Sequence, residues 1–231
     1  MKTLLTAITI SHVLAGIVAL LIGLVPMVAQ KGGKLHNRTG LVYVWCMIYV
    51  AATALLLCTL QPFRMSRMFL TGIAVLSFYL CVSGWRATKQ KRGEVGAFDR
   101  GLVYAALAVG LAMMGFGTYL LGLNGFRFMP VVFTFFGFLL ARNAQNDWRQ
   151  MRHPAQKRHW YYQHFTRMGQ SYIATFTAAL VNNVAWFAPH NAPDWFFMMF
   201  WIAPALIGTG LIARTVAHYK RKSTAKASVA A

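Results

Sequence analysis

The chain has 231 residues, 58% of them apolar and 12% charged, and its 23 Lys and Arg face only four Asp and Glu. This balance leaves no room for a separate soluble domain beside the long apolar runs. A net charge of +19 would suggest nucleic acid in a soluble protein, but the basic residues are scattered over short gaps and do not line one face, so no nucleic-acid partner is expected.

Seven apolar stretches follow one another, at residues 3–29, 41–61, 68–85, 101–124, 128–141, 165–188 and 195–216. Most are near the roughly 20 residues that cross ~30 Å of hydrocarbon as helix. The expected fold is all-α, a seven-transmembrane-helix bundle forming one integral membrane domain over residues 1–219, with residues 220–231 as a short basic tail lacking structure of its own. The first stretch reads as a span and not a cleaved signal, because it exceeds the roughly 7–15 apolar residues of such a leader.

Charge orients the bundle. Lys31, Lys34 and Arg38 follow the first stretch; Arg86, Lys89, Lys91, Arg92 and Arg100 follow the third; Arg142, Arg149, Arg152, Lys157, Arg158 and Arg167 follow the fifth. The tail adds Arg214, Lys220, Arg221, Lys222 and Lys226, and only Lys2, Arg64, Arg67 and Arg127 fall in the opposite gaps. The positive-inside rule then puts the N-terminus outside and the C-terminus in the cytoplasm, as in a bacterial inner membrane. The expected partners are the lipid bilayer and its anionic headgroups, with a homo-oligomer or a larger membrane complex also open.

Aromatic residues agree with these limits: Trp45, Trp85, Trp148 and Trp160–Tyr162 fall near the inner boundary, and Trp186 and Trp195 near the outer. Cys46, Cys58 and Cys81 lie within spans and read as free thiols, without metal-type spacing. Pro204 is expected to kink the last span. The second, fourth and sixth spans open on Gly40 and Tyr43, Gly101 and Tyr104, and Gly169 and Tyr172. This recurrence is compatible with three related helical hairpins preceded by one helix, or with a shared interfacial anchor.

Polar residues inside a membrane are costly and so are functional candidates. On the sixth span His164, Ser171, Thr175 and Asn182 fall within about 20° of one line at ~100° per residue. Asn183 and Tyr172 flank this polar stripe. His12 heads a strip of small residues on the first span (Gly16, Ala19, Gly23) that would let a neighbouring helix approach closely. By rise along the helices, His12 and Asn182 could share one outer layer, as a ligand site or as a packing hydrogen bond. A second cluster lies on the cytoplasmic side, where His36, His153, His159, His164 and His218 accompany Arg38 and Arg167. Such imidazoles suit a transition metal or the axial positions of a single haem, and the arginines suit anionic groups such as propionates or phosphates.

The string from Lys31 to Gly40 (KGGKLHNRTG) and the string from His164 to Ala174 (HFTRMGQSYIA), with His12 and Asn182, carry a resemblance over almost the whole chain. They resemble an uncharacterised family of bacterial predicted membrane proteins defined by a domain of unknown function, with KGG-x-x-H-x-R-x-G and H-x-x-R-M-G-x-S-Y signatures. The resemblance implies that His12, Gly32, Gly33, His36, Arg38, His164, Arg167, Gly169, Ser171 and Tyr172 occupy signature positions. It implies no activity.

Other seven-span chemistries lack their residues. The last span has no lysine for a retinal Schiff base, no Asp or Glu lies within the apolar stretches for a zinc hydrolase, and only His12 lies clearly inside a span where two transmembrane haems need four histidines. No catalytic residue is assigned, because no nucleophile and base can be paired within the spans. The sequence therefore supports a metal-, haem- or small-ligand-binding membrane protein with a cytoplasmic-side site at His36, Arg38, His164, Arg167 and His218. The alternatives are a carrier or sensor using the stripe on the sixth span, and a structural or assembly partner in a membrane complex.

Overall fold

The computed structural model describes residues 1–91, 94–152 and 159–229, with side chains up to Arg221. Among these residues there is no strand. The helices are α1 (Lys2–Ile22), α2 (Leu24–Val28), α3 (Lys34–Leu60), α4 (Met65–Ala87), α5 (Ala97–Asn124), α6 (Phe128–Arg152), α7 (His159–Asn182) and α8 (Asp194–Val229), with a 3₁₀ turn at Val184–Trp186. The short α2 is the bent end of α1. Gly23 separates the two and still donates its N–H to Ala19 O at 2.9 Å.

Five segments are long and apolar enough to cross a membrane: Lys2–Val28, Lys34–Leu60, Met65–Ala87, Ala97–Asn124 and Asp194–Arg221. These fit a membrane protein, and their outward faces carry exposed large side chains such as Leu14, Ile17, Leu21, Leu111, Leu206 and Ile207. In water such a surface would associate. The helices α6 and α7 are as long but less apolar, because they carry the polar residues that the bundle buries: Asn143 and Asp147 on α6, and Arg167, Ser171 and Thr175 on α7.

Several helices outrun the apolar stretches that announce them. His36 and Arg38, expected in a loop, stand in the opening turns of α3. The helix α6 runs eleven residues past Ala141, and α8 runs on to Val229, into the stretch set apart from sequence as an unstructured tail. Hydropathy marks where a helix is apolar, whereas Arg, Lys, Gln and Asn beyond that depth still permit helix. Their charged heads are steadied by rings: Arg152 lies 4.0 Å from the Trp148 centroid, Lys91 5.0 Å from Trp160 and Lys220 5.3 Å from Tyr162. The extension also corrects the expectation of no carboxylate within the helices crossing the bundle, since Asp147 is 4% exposed on α6.

The tightest pairing is α5 against α6. Cβ atoms added at Gly110 and Gly137 would run into the backbone of Ala141 and Met114 on the facing helix, so only glycine allows this approach. Phe69, Tyr79, Phe133 and Leu140 fill the space between α4, α5 and α6, and Trp201 of α8 packs on Phe69 at 5.1 Å between centroids. A second cluster of Ala19, Tyr43, Val44, Met47 and Cys81 joins α1, α3 and α4, and Tyr172 of α7 packs against it. The three Gly–Tyr pairs of the recurrent string do not sit alike. Tyr43 is buried, Tyr104 exposed and Tyr172 half-buried, while Gly169 meets Ile212 and the Cβ positions of Gly40 and Gly101 face open space.

The packing predicts a contrast between two glycines of the same hairpin. Gly137→Ala should lower the stability of the purified protein by about 1–3 kcal/mol through overpacking. Gly115→Ala, where an added Cβ meets open space, should be neutral or gain up to about 1 kcal/mol from helix propensity. Thermal unfolding in one detergent compares them.

Candidate functional site

Two imidazoles from distant parts of the chain come together at one end of the bundle. His36 lies in the first turns of α3 and His164 in the second turn of α7, with ring centroids 6.3 Å apart and planes at 72°. Each ring is fixed by a backbone carbonyl of another element. His36 Nδ1 donates to Pro26 O of α2 at 3.0 Å, and His164 Nδ1 donates to Gly84 O of α4 at 2.9 Å. A carbonyl can only accept, so both rings carry their proton on Nδ1, which leaves the Nε2 lone pairs as acceptors or ligand atoms.

Local sequence explains both seats. The chain turns at Gly32, whose φ of 78° suits glycine, and so brings the start of α3 back beside the end of α2. Lys31 Nζ donates to Pro26 O at 2.7 Å and to Met27 O at 2.5 Å, closing carbonyls that the end of α2 leaves open. Partial burial lowers the Lys31 pKa. On the other side, a Cβ at Gly84 would stand 2.9 Å from Arg167 Cβ and 3.0 Å from Met168 Sδ. The glycine therefore lets α7 lie close enough to α4 for the His164 bond.

Arg167, one turn after His164, is buried at 4% exposure with Asp147 as counter-charge. Its Nη2 donates to Asp147 Oδ1 at 2.6 Å and to Asn143 O at 2.8 Å, and its Nη1 to Asn143 Oδ1 and to Gln170 Oε1 at 3.1 Å. Tyr79 donates its hydroxyl to Asp147 Oδ2, and Gln163 Nε2 donates to Oδ1 at 3.2 Å. Among the described residues, Arg167 Nε is the one buried side-chain nitrogen or oxygen without a hydrogen-bond partner. This network locks α6, α7 and α4 together beside the histidine pair.

The sequence-read site is divided by this geometry. It brings His36 and His164 together and places Arg167 behind them in an ion pair. Arg38 and His218 are exposed on α3 and α8, and His218 packs its ring on neighbouring Tyr219 at 5.7 Å. His159 bonds Gln150 at 2.6 Å, and His153 lies outside the described residues.

The stripe on α7 is likewise divided. Ser171 and Thr175 are buried against Tyr43 of α3, whose hydroxyl is 2.9 Å from Ser171 Oγ and 3.1 Å from Thr175 Oγ1. Tyr172 donates to Leu20 O of α1 at 3.1 Å. Asn182 and Asn183 are exposed and donate to Ala178 O and Ala179 O of their own helix. His12 does not meet Asn182. Its Nδ1 lies 2.9 Å from Thr53 Oγ1 on α3, and because Thr53 donates to Tyr49 O at 2.7 Å, its oxygen accepts from the imidazole.

Sequence reading does not single out the partners of these residues, among them Asp147, Asn143, Tyr79 and Gly84. Asp147 alone left a signal, as a carboxylate in a chain that has four. No protein-family model, curated protein or solved structure matches the chain.

The buried pair predicts strong non-additivity. Arg167→Met and Asp147→Leu should each destabilise the protein by about 3–5 kcal/mol, since each strands a charge. The double variant should recover most of that loss, as apolar replacement of a whole pair often does. Equal, additive losses in detergent unfolding would show that the two side chains are not coupled.

Proposed function

We propose that this is a haem-binding integral membrane protein that holds one haem between His36 and His164. The observation that carries this reading is the pair of imidazoles with Nδ1 tied to backbone carbonyls. Metal-ligating histidines are oriented in this way, with the distal nitrogen on a carbonyl or carboxylate and the other nitrogen free. At a metal–nitrogen distance of about 2.0 Å, and about 1.1 Å from nitrogen to ring centre, two imidazoles on opposite sides of one metal have centroids roughly 6.2 Å apart, against roughly 5 Å at a tetrahedral angle. The ring centroids lie 6.3 Å apart, a length that would admit one metal held by both rings.

Two ligands also suit haem better than a bare ion. No group of three or more His, Cys, Asp or Glu converges among the described residues, and a haem brings its own four equatorial nitrogens. When bound between two imidazoles it supplies one-electron transfer and leaves no open position for oxygen. The protein's own part is to hold both rings in one tautomer and to keep α7 in register through Arg167 and Asp147. Exposed Arg38 and Lys34 stand on the same opening turns of α3 as His36, available to propionates.

Around this site we read seven membrane crossings, with α6 and α7 shielded by the more apolar helices. The charge alternation puts the N-terminus outside and the histidine pair at the cytoplasmic face of a bacterial inner membrane. Membership of the family with the KGG-x-x-H-x-R-x-G signature is part of this reading, and His36 and His164 give its two strings a common purpose.

Protein produced in haem-supplied cells should show a Soret band with about one haem per chain. Replacing His36 or His164 by Ala should lower haem content at least about tenfold, while His12→Ala and Asn182→Ala should leave it unchanged. Absence of both a Soret band and bound metal in the unaltered protein would end the proposal.

A further inference from the structure

An apolar groove of about 660 Å³ runs between α7 and α8, bordered by Tyr172 and Phe176 on one side and Phe196, Phe200, Pro204 and Ile207 on the other. Tyr172 brings the one hydroxyl among its lining residues, and that hydroxyl is committed to Leu20 O. The groove therefore has no hydroxyl to offer a polar head such as a sugar or a quinone, and suits a hydrocarbon chain.

The face of α8 that borders the groove continues beyond it. Pro204, Ile207, Leu211, Arg214 and His218 follow at spacings of three and four, the repeat of a single helix face. Arg214 and His218 are exposed. Arg214 makes no hydrogen bond or ion pair among the described residues. From Arg214 back to Pro204, near the middle of the apolar stretch 195–216, the helix rises about 15 Å. Half of the ~30 Å of hydrocarbon is about the same.

We propose that this face binds one anionic phospholipid, with the phosphate at Arg214 beside His218 and an acyl chain along Leu211 and Ile207 into the near end of the groove, as far as Pro204. An apolar groove that reaches Ile207 and Gly208, continued on the same face by Leu211 to the positive charge of Arg214 near the end of the apolar stretch, is complementary in length and in sign to such a lipid. The assignment gives His218 a role apart from the histidine pair, and it does not depend on haem.

The test offers phosphatidylglycerol or phosphatidylcholine with identical acyl chains to the detergent-purified full chain and counts retained lipid by native mass spectrometry. The unaltered protein should retain one phosphatidylglycerol and at least about fivefold less phosphatidylcholine, from a charge contribution near the membrane surface. R214Q should bring phosphatidylglycerol down to the phosphatidylcholine level, and R100Q, which removes an exposed charge on α5, should not. A203W, which fills the groove, should displace both lipids. Equal retention of the two lipids by the unaltered protein, equal effects of R214Q and R100Q, or full retention by a folded A203W would overturn the proposal.

Discussion

The structure depends on one electrostatic requirement: a guanidinium buried at 4% exposure among apolar helices must have its countercharge beside it. Asp147 is that countercharge, and meeting it on α6 fixes how α7 lies in the bundle. Tyr79, Asn143, Gln163 and Gln170 complete the shell, so the pair is held by hydrogen bonds as well as by charge. Once Arg167 is placed, His164 stands one turn away opposite Gly84, and the absence of a side chain there brings the carbonyl of α4 within reach of its ring. His36 arrives separately, carried by the turn at Gly32 and seated on Pro26.

The most buried helix is the apolar α4, and the less apolar α6 and α7 pack against it with their polar residues turned inward. Both α6 and α7 fail to be apolar enough to cross a membrane by composition because they carry what the others enclose. Their packing needs are met through Gly137 of α6 against α5 and through Gly169 and Ile173 of α7 against α8. Tyr43 closes the other flank of α7 by engaging Ser171 and Thr175 in succession, so the hydroxyls that look like a polar path in sequence act as a seam between helices. The histidine pair lies at one end of the bundle, and the apolar groove runs between α7 and α8.

Much of this was legible in sequence, and for physical reasons. Apolar runs located the helices, and the arginines marked their ends. The expense of burying polar groups singled out His164, Ser171, Thr175 and Asn182, of which Ser171 and Thr175 are buried, His164 is half-buried and Asn182 is exposed, while Arg167, read as open to anionic groups, is buried in an ion pair. Partners were harder to read, because they are matched across long separations that periodicity does not encode: Tyr43 and Ser171 lie 128 residues apart and His164 and Gly84 lie 80 apart. Asp147 was missed because hydropathy ended its span at Ala141, while the helix went on. Asn182 and His12 were placed in one layer by counting rise along ideal helices, a measure of depth that carries no information on which helix faces which.

The central claim is that His36 and His164, each fixed by a carbonyl on its Nδ1, would together hold one haem. Low-temperature electron paramagnetic resonance of the ferric, haem-loaded protein tests it most directly. The account predicts a low-spin signal in the unaltered protein that becomes high-spin when either His36 or His164 is replaced by Ala. A high-spin signal in the unaltered protein, or a low-spin signal that survives loss of either histidine, would contradict it.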